Sequence, residues 1–159
     1  MEGLHLAAYN ADLPAIRSLA GSGANLRDGS GFTPLMWSCL RGAVGDQAVV
    51  ISALISVGAD PNAITLSGDS SCLMLAVQSG SLDAVRAIVD GGALLDLPAD
   101  GVTPLMVAAR AGDEEIATFL LERGADPDLR CGRFTAADYA SYGGFDRLAG
   151  RLSPLSKGR

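Results

Sequence analysis

Thr33-Pro34-Leu35-Met36 recurs as Thr103-Pro104-Leu105-Met106, and each copy is followed by a Gly-Ala-Asp-Pro run, at Gly58 to Pro61 and Gly124 to Pro127. Self-similarity at a period of about 33 residues constrains the fold more than any composition could, because it specifies one small unit built several times over. A helical hairpin of that length cannot bury its own apolar face, so the copies must stack. Registering the chain against the copy that starts at Gly101 finds three more. Ser71-Cys72-Leu73-Met74, with Gly80 and Gly92-Ala93, is a degenerate copy; Thr135-Ala136-Ala137, with Gly144, is a truncated one; Leu4-His5-Leu6-Ala7-Ala8, with Gly23-Ala24-Asn25, is the first. The register predicts one domain over 1–152, with units at about 1–28, 29–66, 67–98, 99–130 and 131–152, and a polar tail over 153–159.

The chemistry of one unit predicts helix-turn-helix. Pro104 suits a first helical turn, where a missing N–H costs nothing, and the Thr103 hydroxyl can cap that turn. Leu105, Ala108 and Ala109 follow at helical spacing, and the small residues let a second helix approach closely. Gly112 supplies a left-handed stop and Asp113 a cap for the next helix, over Ile116, Phe119 and Leu120. Asp126 to Gly132 reads as an extended turn or hairpin leading to the next unit.

The five registered copies, with Ala-Ala, Gly and Gly-Ala-Asp at fixed offsets, resemble the ankyrin-repeat family over nearly the whole chain. The resemblance implies an all-α solenoid of five stacked helix-turn-helix units with short β-hairpin-like turns. Three departures stand out. The second copy holds about four extra residues near Arg41 to Gln47, expected as a surface loop because loop entropy grows slowly with length. The family's favoured His after Thr-Pro-Leu occurs only as His5, a turn-bracing hydrogen-bonder in that register. The third copy lacks Thr-Pro and carries Leu94-Leu95 where others place Asp-Pro, so its turns are expected to be the least well specified.

Function classes narrow accordingly. With a single histidine, a hydrolytic triad or multi-histidine metal site has almost nothing to use. Asp113-Glu114-Glu115 sits at a helix start, where anions favour the backbone dipole, and the glycines fall on repeat turns without a phosphate-loop ending. Neither a catalytic residue, a metal nor a cofactor is expected. Cys39, Cys72 and Cys131 are an odd set without ligand spacing, expected as small packed thiols in a reducing, cytoplasmic setting. No signal-peptide pattern or membrane-spanning apolar run is present, so membrane insertion is not expected. From residue 130 onward six cations face two anions, a balance of +4, which leaves −10 for the preceding residues out of the total of −6. An acidic body disfavours nucleic acid.

In ankyrin proteins the hairpin tips and the exposed side of each first helix form a concave face that commonly binds a partner protein. The resemblance therefore implies a non-catalytic adaptor or scaffold, with an inhibitory or regulatory subunit as the alternative; the oligomeric state is not read from the sequence, and a monomer is the expectation. Carried over by register, the partner-facing positions are Tyr9, Asn10, Phe32, Leu40, Arg41, Gln78, Val102, Arg110, Phe134 and Tyr142. Aromatic and Arg residues in that set are of the types enriched in binding hot spots. Trp37 shares its register position with Leu6, Leu75 and Val107, and is expected in the core between units.

Overall fold

The computed structural model describes residues 3–19, 23–41 and 45–153. Five helical hairpins account for them: α1 (Leu4–Asn10) with α2 (Leu13–Ser18), α3 (Pro34–Leu40) with α4 (Gln47–Ser56), α5 (Cys72–Gln78) with α6 (Leu82–Asp90), α7 (Pro104–Ala111) with α8 (Glu114–Glu122), and α9 (Ala136–Tyr142) with α10 (Asp146–Leu152). Among the described residues β pairing is confined to isolated antiparallel bridges, Ile64 with Ser71, Ala99 with Val102 and Cys131 with Phe134. These close the short hairpins that lead into α5, α7 and α9. The chain divides into two compact units, Met1–Leu94 and Leu95–Arg159.

In the first unit, α1 packs on α3 and α3 on α5, while α2 packs on α4 and α4 on α6. Ile16, Leu35, Ile51, Leu54, Leu73 and Ile88 are fully buried between these layers, each worth about 1.5–3 kcal/mol of transfer free energy. Helix starts are capped as the motif predicts: Thr33 Oγ1 accepts from the Met36 amide at 3.3 Å. The degenerate third copy keeps its cap, because Ser71 Oγ accepts from the Met74 amide, also at 3.3 Å. In place of the missing proline, the Cys72 amide donates to Ala63 O at 3.1 Å, a bond proline could not make. His5 Nε2 lies 3.0 Å from Leu26 O and 3.1 Å from Phe32 O. Both partners are acceptors, so Nε2 carries the proton and braces the turn, as its register implies.

The insertion is anchored from its far end. Gln47 is buried, and its Nε2 donates to Ser38 O and Cys39 O at 3.0 Å each, satisfying carbonyls at the end of α3 that have no partner within the helix. Residues 42–44 of the insertion, 21–22 of the Gly21–Gly23 turn and 154–159 of the tail lie outside the described residues.

In the second unit α7 packs on α8 and α9, and α9 on α10. Asp113 Oδ1 accepts from the Ile116 amide at 2.9 Å, so the acidic cluster begins as a helix cap. Glu114 pairs with Arg151 of α10 at 3.3 Å, and the same guanidinium donates to Thr118 at 3.0 Å. Gly112 is required twice over: its φ is 71°, and a Cβ there would collide with the Phe145 ring.

A feature no motif signalled links the loops that follow the second helices. Asn25 Oδ1 accepts from the Asp60 amide at 2.7 Å while its Nδ2 donates to Gly58 O at 2.9 Å. Asn62 does the same one repeat on, accepting from Leu94 N at 2.8 Å and donating to Gly92 O at 3.3 Å. In the second unit Asp96 accepts from Asp126 N through Oδ1 at 3.1 Å and Oδ2 at 3.3 Å.

Candidate functional site

Large side chains remain on the surface at the ends of the first helices and at the hairpin tips. Their positions follow from helix length: a first helix of seven or eight residues brings its last one or two side chains out at the far end, next to the chain reversal. In the first unit this exposes Tyr9 by 46% and Leu40 by 40%; Asn10 and Gln78 are exposed as well. Phe32 is half-buried at a hairpin tip.

What joins these residues is Trp37, and here the sequence expectation is corrected. Trp37 is half-buried rather than core. Its ring stands edge-on to Tyr9 at 6.0 Å and tilted against Phe32 at 5.2 Å, within the range where aromatic pairs gain about 0.5–1.5 kcal/mol beyond area burial. The cause is the indole N–H, which needs a partner and finds Asp28 Oδ2 at 2.7 Å on the preceding hairpin. Partial desolvation raises the Asp28 carboxyl, but the bonds from Trp37 and from the Phe32 and Ser30 amides, with the charge of His5, outweigh it and hold it below its ordinary value. The result is an aromatic trio fixed to the surface by one charge-assisted bond.

The remaining expected positions separate. Arg41 is committed to the insertion, paired with Asp46 at 3.2 Å with its side chain only 13% exposed. Val102 is half-buried in the bridge with Ala99. Arg110 is exposed at the end of α7. Phe134 and Tyr142 are exposed by 45% and 90%, and together with Tyr139 and Asp138 they line a groove of about 170 Å³. Tyr139 was not among the expected residues; it meets Phe134 edge-on at 6.3 Å. The Cys131 side chain raises the Tyr139 phenol, burial adds to the effect, and the charge of Arg110 opposes it.

Burial pushes the Cys39 thiol well above its usual value and, with the charge of Asp60, lifts Cys72 to about 12, so both are packing groups rather than nucleophiles. All three cysteines are free thiols. Among the described residues no group of His, Cys, Asp and Glu is arranged to hold a metal ion, and no helix is long and apolar enough to cross a membrane.

Comparison with known proteins agrees with the repeat register. A family model described as ankyrin repeats (3 copies) matches residues 4–96 and 43–131. The ankyrin repeat and KH domain-containing protein mask-1 of Caenorhabditis elegans is 34% identical over 130 residues, 79% of this chain but 5% of that protein. Human B-cell lymphoma 3 protein is 34% identical over 144 residues, 82% of this chain and 31% of its own length. Human SH3 and multiple ankyrin repeat domains protein 2 is 39% identical over 82 residues, half of this chain and 4% of that protein. The chain thus spans a third or less of the relatives it matches, within a family whose repeats are generally non-enzymatic protein-interaction modules. The motif, the five helical hairpins and these matches establish that the chain belongs to the ankyrin-repeat family.

Proposed function

We propose that this chain is a non-catalytic adaptor or scaffold that binds a partner protein through the surface made by its hairpin tips and first-helix ends. The observation that carries the reading is the aromatic trio of Tyr9, Phe32 and Trp37. A cluster with Tyr9 exposed and Phe32 and Trp37 only half-buried, its Trp37 tied to Asp28, contributes less to the fold than the same rings would in the core. It does match the composition of interface hot spots.

The test begins with a partner captured by the full chain and located by cross-linking. Tyr9→Ala combined with Leu40→Ala removes two exposed side chains from this surface. Truncated anchors cost roughly 2 kcal/mol or more each, so the pair should weaken binding by about a hundredfold after allowance for non-additivity. Val49→Ala with Glu122→Ala, exposed positions on the second helices α4 and α8, should leave affinity nearly unchanged. Thermal melts exclude unfolding as the cause. Undiminished binding by the Tyr9/Leu40 variant, or a greater loss from the second-helix pair, would move the site away from this surface.

A further inference from the structure

The second unit carries a groove whose chemistry is more specific than that of the first. Its walls are the rings of Phe134, Tyr139 and Tyr142, and its rim is basic. Arg133 lies over the Phe134 ring, 5.0 Å from the centroid. Arg130 is placed beside it by a bond from its guanidinium to Arg133 O at 3.2 Å. The Arg110 backbone stands against the end of α9 that bears Tyr142, since α7 packs on α9 and a Cβ on Gly143 would meet the Arg110 carbonyl at 2.7 Å, and its charge acts on the Tyr139 phenol. None of these three arginines makes an ion pair with a described residue.

The one carboxylate in the groove is already occupied. Asp138 Oδ2 accepts from the Thr135 amide at 2.7 Å and from its hydroxyl at 2.8 Å, closing the capping box of α9. Those two bonds from Thr135, with Arg130 nearby, hold its carboxyl below the usual range although burial opposes them. Three guanidiniums against one engaged carboxylate leave the rim with a local balance of +2, while the preceding stretch from residue 95 to 129 has, Arg110 aside, eight acids and one arginine. Aromatic walls alone would suit a cation. Arg133 already fills that role over Phe134, and its neighbours would repel a second cation.

Resting on the reading of the chain as a partner-binding module, we propose that this groove takes an acidic peptide segment of the partner protein. One large apolar side chain of the segment seats between Phe134, Tyr139 and Tyr142, and flanking Asp or Glu carboxylates pair with Arg110, Arg130 and Arg133. Charge complementarity selects this occupant: carboxylates meet guanidiniums that have no ion pair among the described residues and that bind them in bidentate geometry, while the rings shield the apolar anchor from water.

The experiment is selection of displayed random twelve-residue peptides on the full chain, followed by titration of the enriched peptides. Enrichment of one aromatic or aliphatic residue flanked by Asp and Glu is expected, with affinity falling as salt rises. Tyr142→Ala with Phe134→Ala should weaken those peptides at least tenfold. Arg110→Glu with Arg133→Glu should weaken them by a hundredfold or more and shift a repeated selection toward Lys- and Arg-flanked peptides, an inversion that damage to the fold would not produce. Enrichment of basic or methyl-lysine peptides on the parent chain would overturn the proposal, as would acidic peptides indifferent to all four substitutions. Peptides that lose binding only with Tyr9→Ala and Leu40→Ala would sink this groove while leaving the module's partner-binding role standing; no enrichment above bare support would count against both.

Discussion

Asp96→Asn should stabilise the protein, and the reason is visible in the loops before it. Asn25 and Asn62 each bond the next loop twice, accepting from an amide and donating to a glycine carbonyl, at 2.9 Å for Gly58 O and 3.3 Å for Gly92 O. Asp96 occupies the same place but has no donor. Both its oxygens crowd one amide, that of Asp126, and by the register of the two asparagines the carbonyl left without this partner is Gly124 O, two residues before that amide. Burial raises its carboxyl above the ordinary value, the Asp126 amide opposes this, and the Asp126 charge raises it further. An amide side chain keeps the acceptor, adds a donor for Gly124 O, the equivalent of Gly58 O and Gly92 O, and removes the repulsion. One added hydrogen bond is worth about 0.5–1.5 kcal/mol net. Relief of the charge adds a few tenths, and the weaker bond to Asp126 N subtracts about as much, for roughly 1 kcal/mol overall. For a chain of this size that is a rise of about 2–4 °C in Tm. The sign of the pH dependence follows from the raised carboxyl. The ionised form is penalised in the folded state, so the parent is handicapped above the folded pKa and recovers as the pH falls toward the unfolded value of about 3.9. Urea titrations followed by circular dichroism should therefore show the largest gain for the variant at pH 7 and a shrinking one near pH 4. An equal or lower midpoint at pH 7, or a gap that does not change with pH, would refute the argument.

Two further outcomes follow. Cys72→Pro, which would restore the family motif, should lower stability by about 1 kcal/mol despite a stiffer unfolded chain, because it removes the donor to Ala63 O and leaves that carbonyl unpaired; a raised unfolding midpoint would contradict the assigned bond. Trp37→Phe should cost about 1 kcal/mol for the lost bond to Asp28 and let the Asp28 carboxyl rise toward its ordinary value in an NMR titration, whereas an unmoved Asp28 would mean that the indole does not hold it down.

The parts of this fold that were legible in the sequence are those that act within one unit. Thr103 caps its own helix, Gly112 turns the chain that follows it, and Asp113 caps the next helix; each solves a problem within a few residues, so each leaves a fixed offset that register detects. Burial depth is not such a property. One register position is 46% exposed at Leu6, half-buried at Trp37 and buried at Leu75 and Val107, because depth depends on what the neighbouring unit presents and on whether the side chain has a polar atom to satisfy. The loop ladder was hidden for a related reason: Asn25 stands two residues after its Gly, whereas Asn62 and Asp96 stand four after theirs, so equivalent bonds arise from different offsets. The groove of the second unit combines both kinds of information. Its positive balance could be counted along the chain, but the sum cannot say that Arg130 and Arg133, on the hairpin before α9, share a rim with Arg110 from the helix one unit earlier. Packing of α7 on α9 sets the charge of Arg110 near Tyr139, while Arg133 lies over Phe134 with Arg130 bonded to its carbonyl. Residues that serve one unit carry the signature of the fold, and the surface offered to a partner is assembled from residues a full repeat apart, where a motif has no reason to record them.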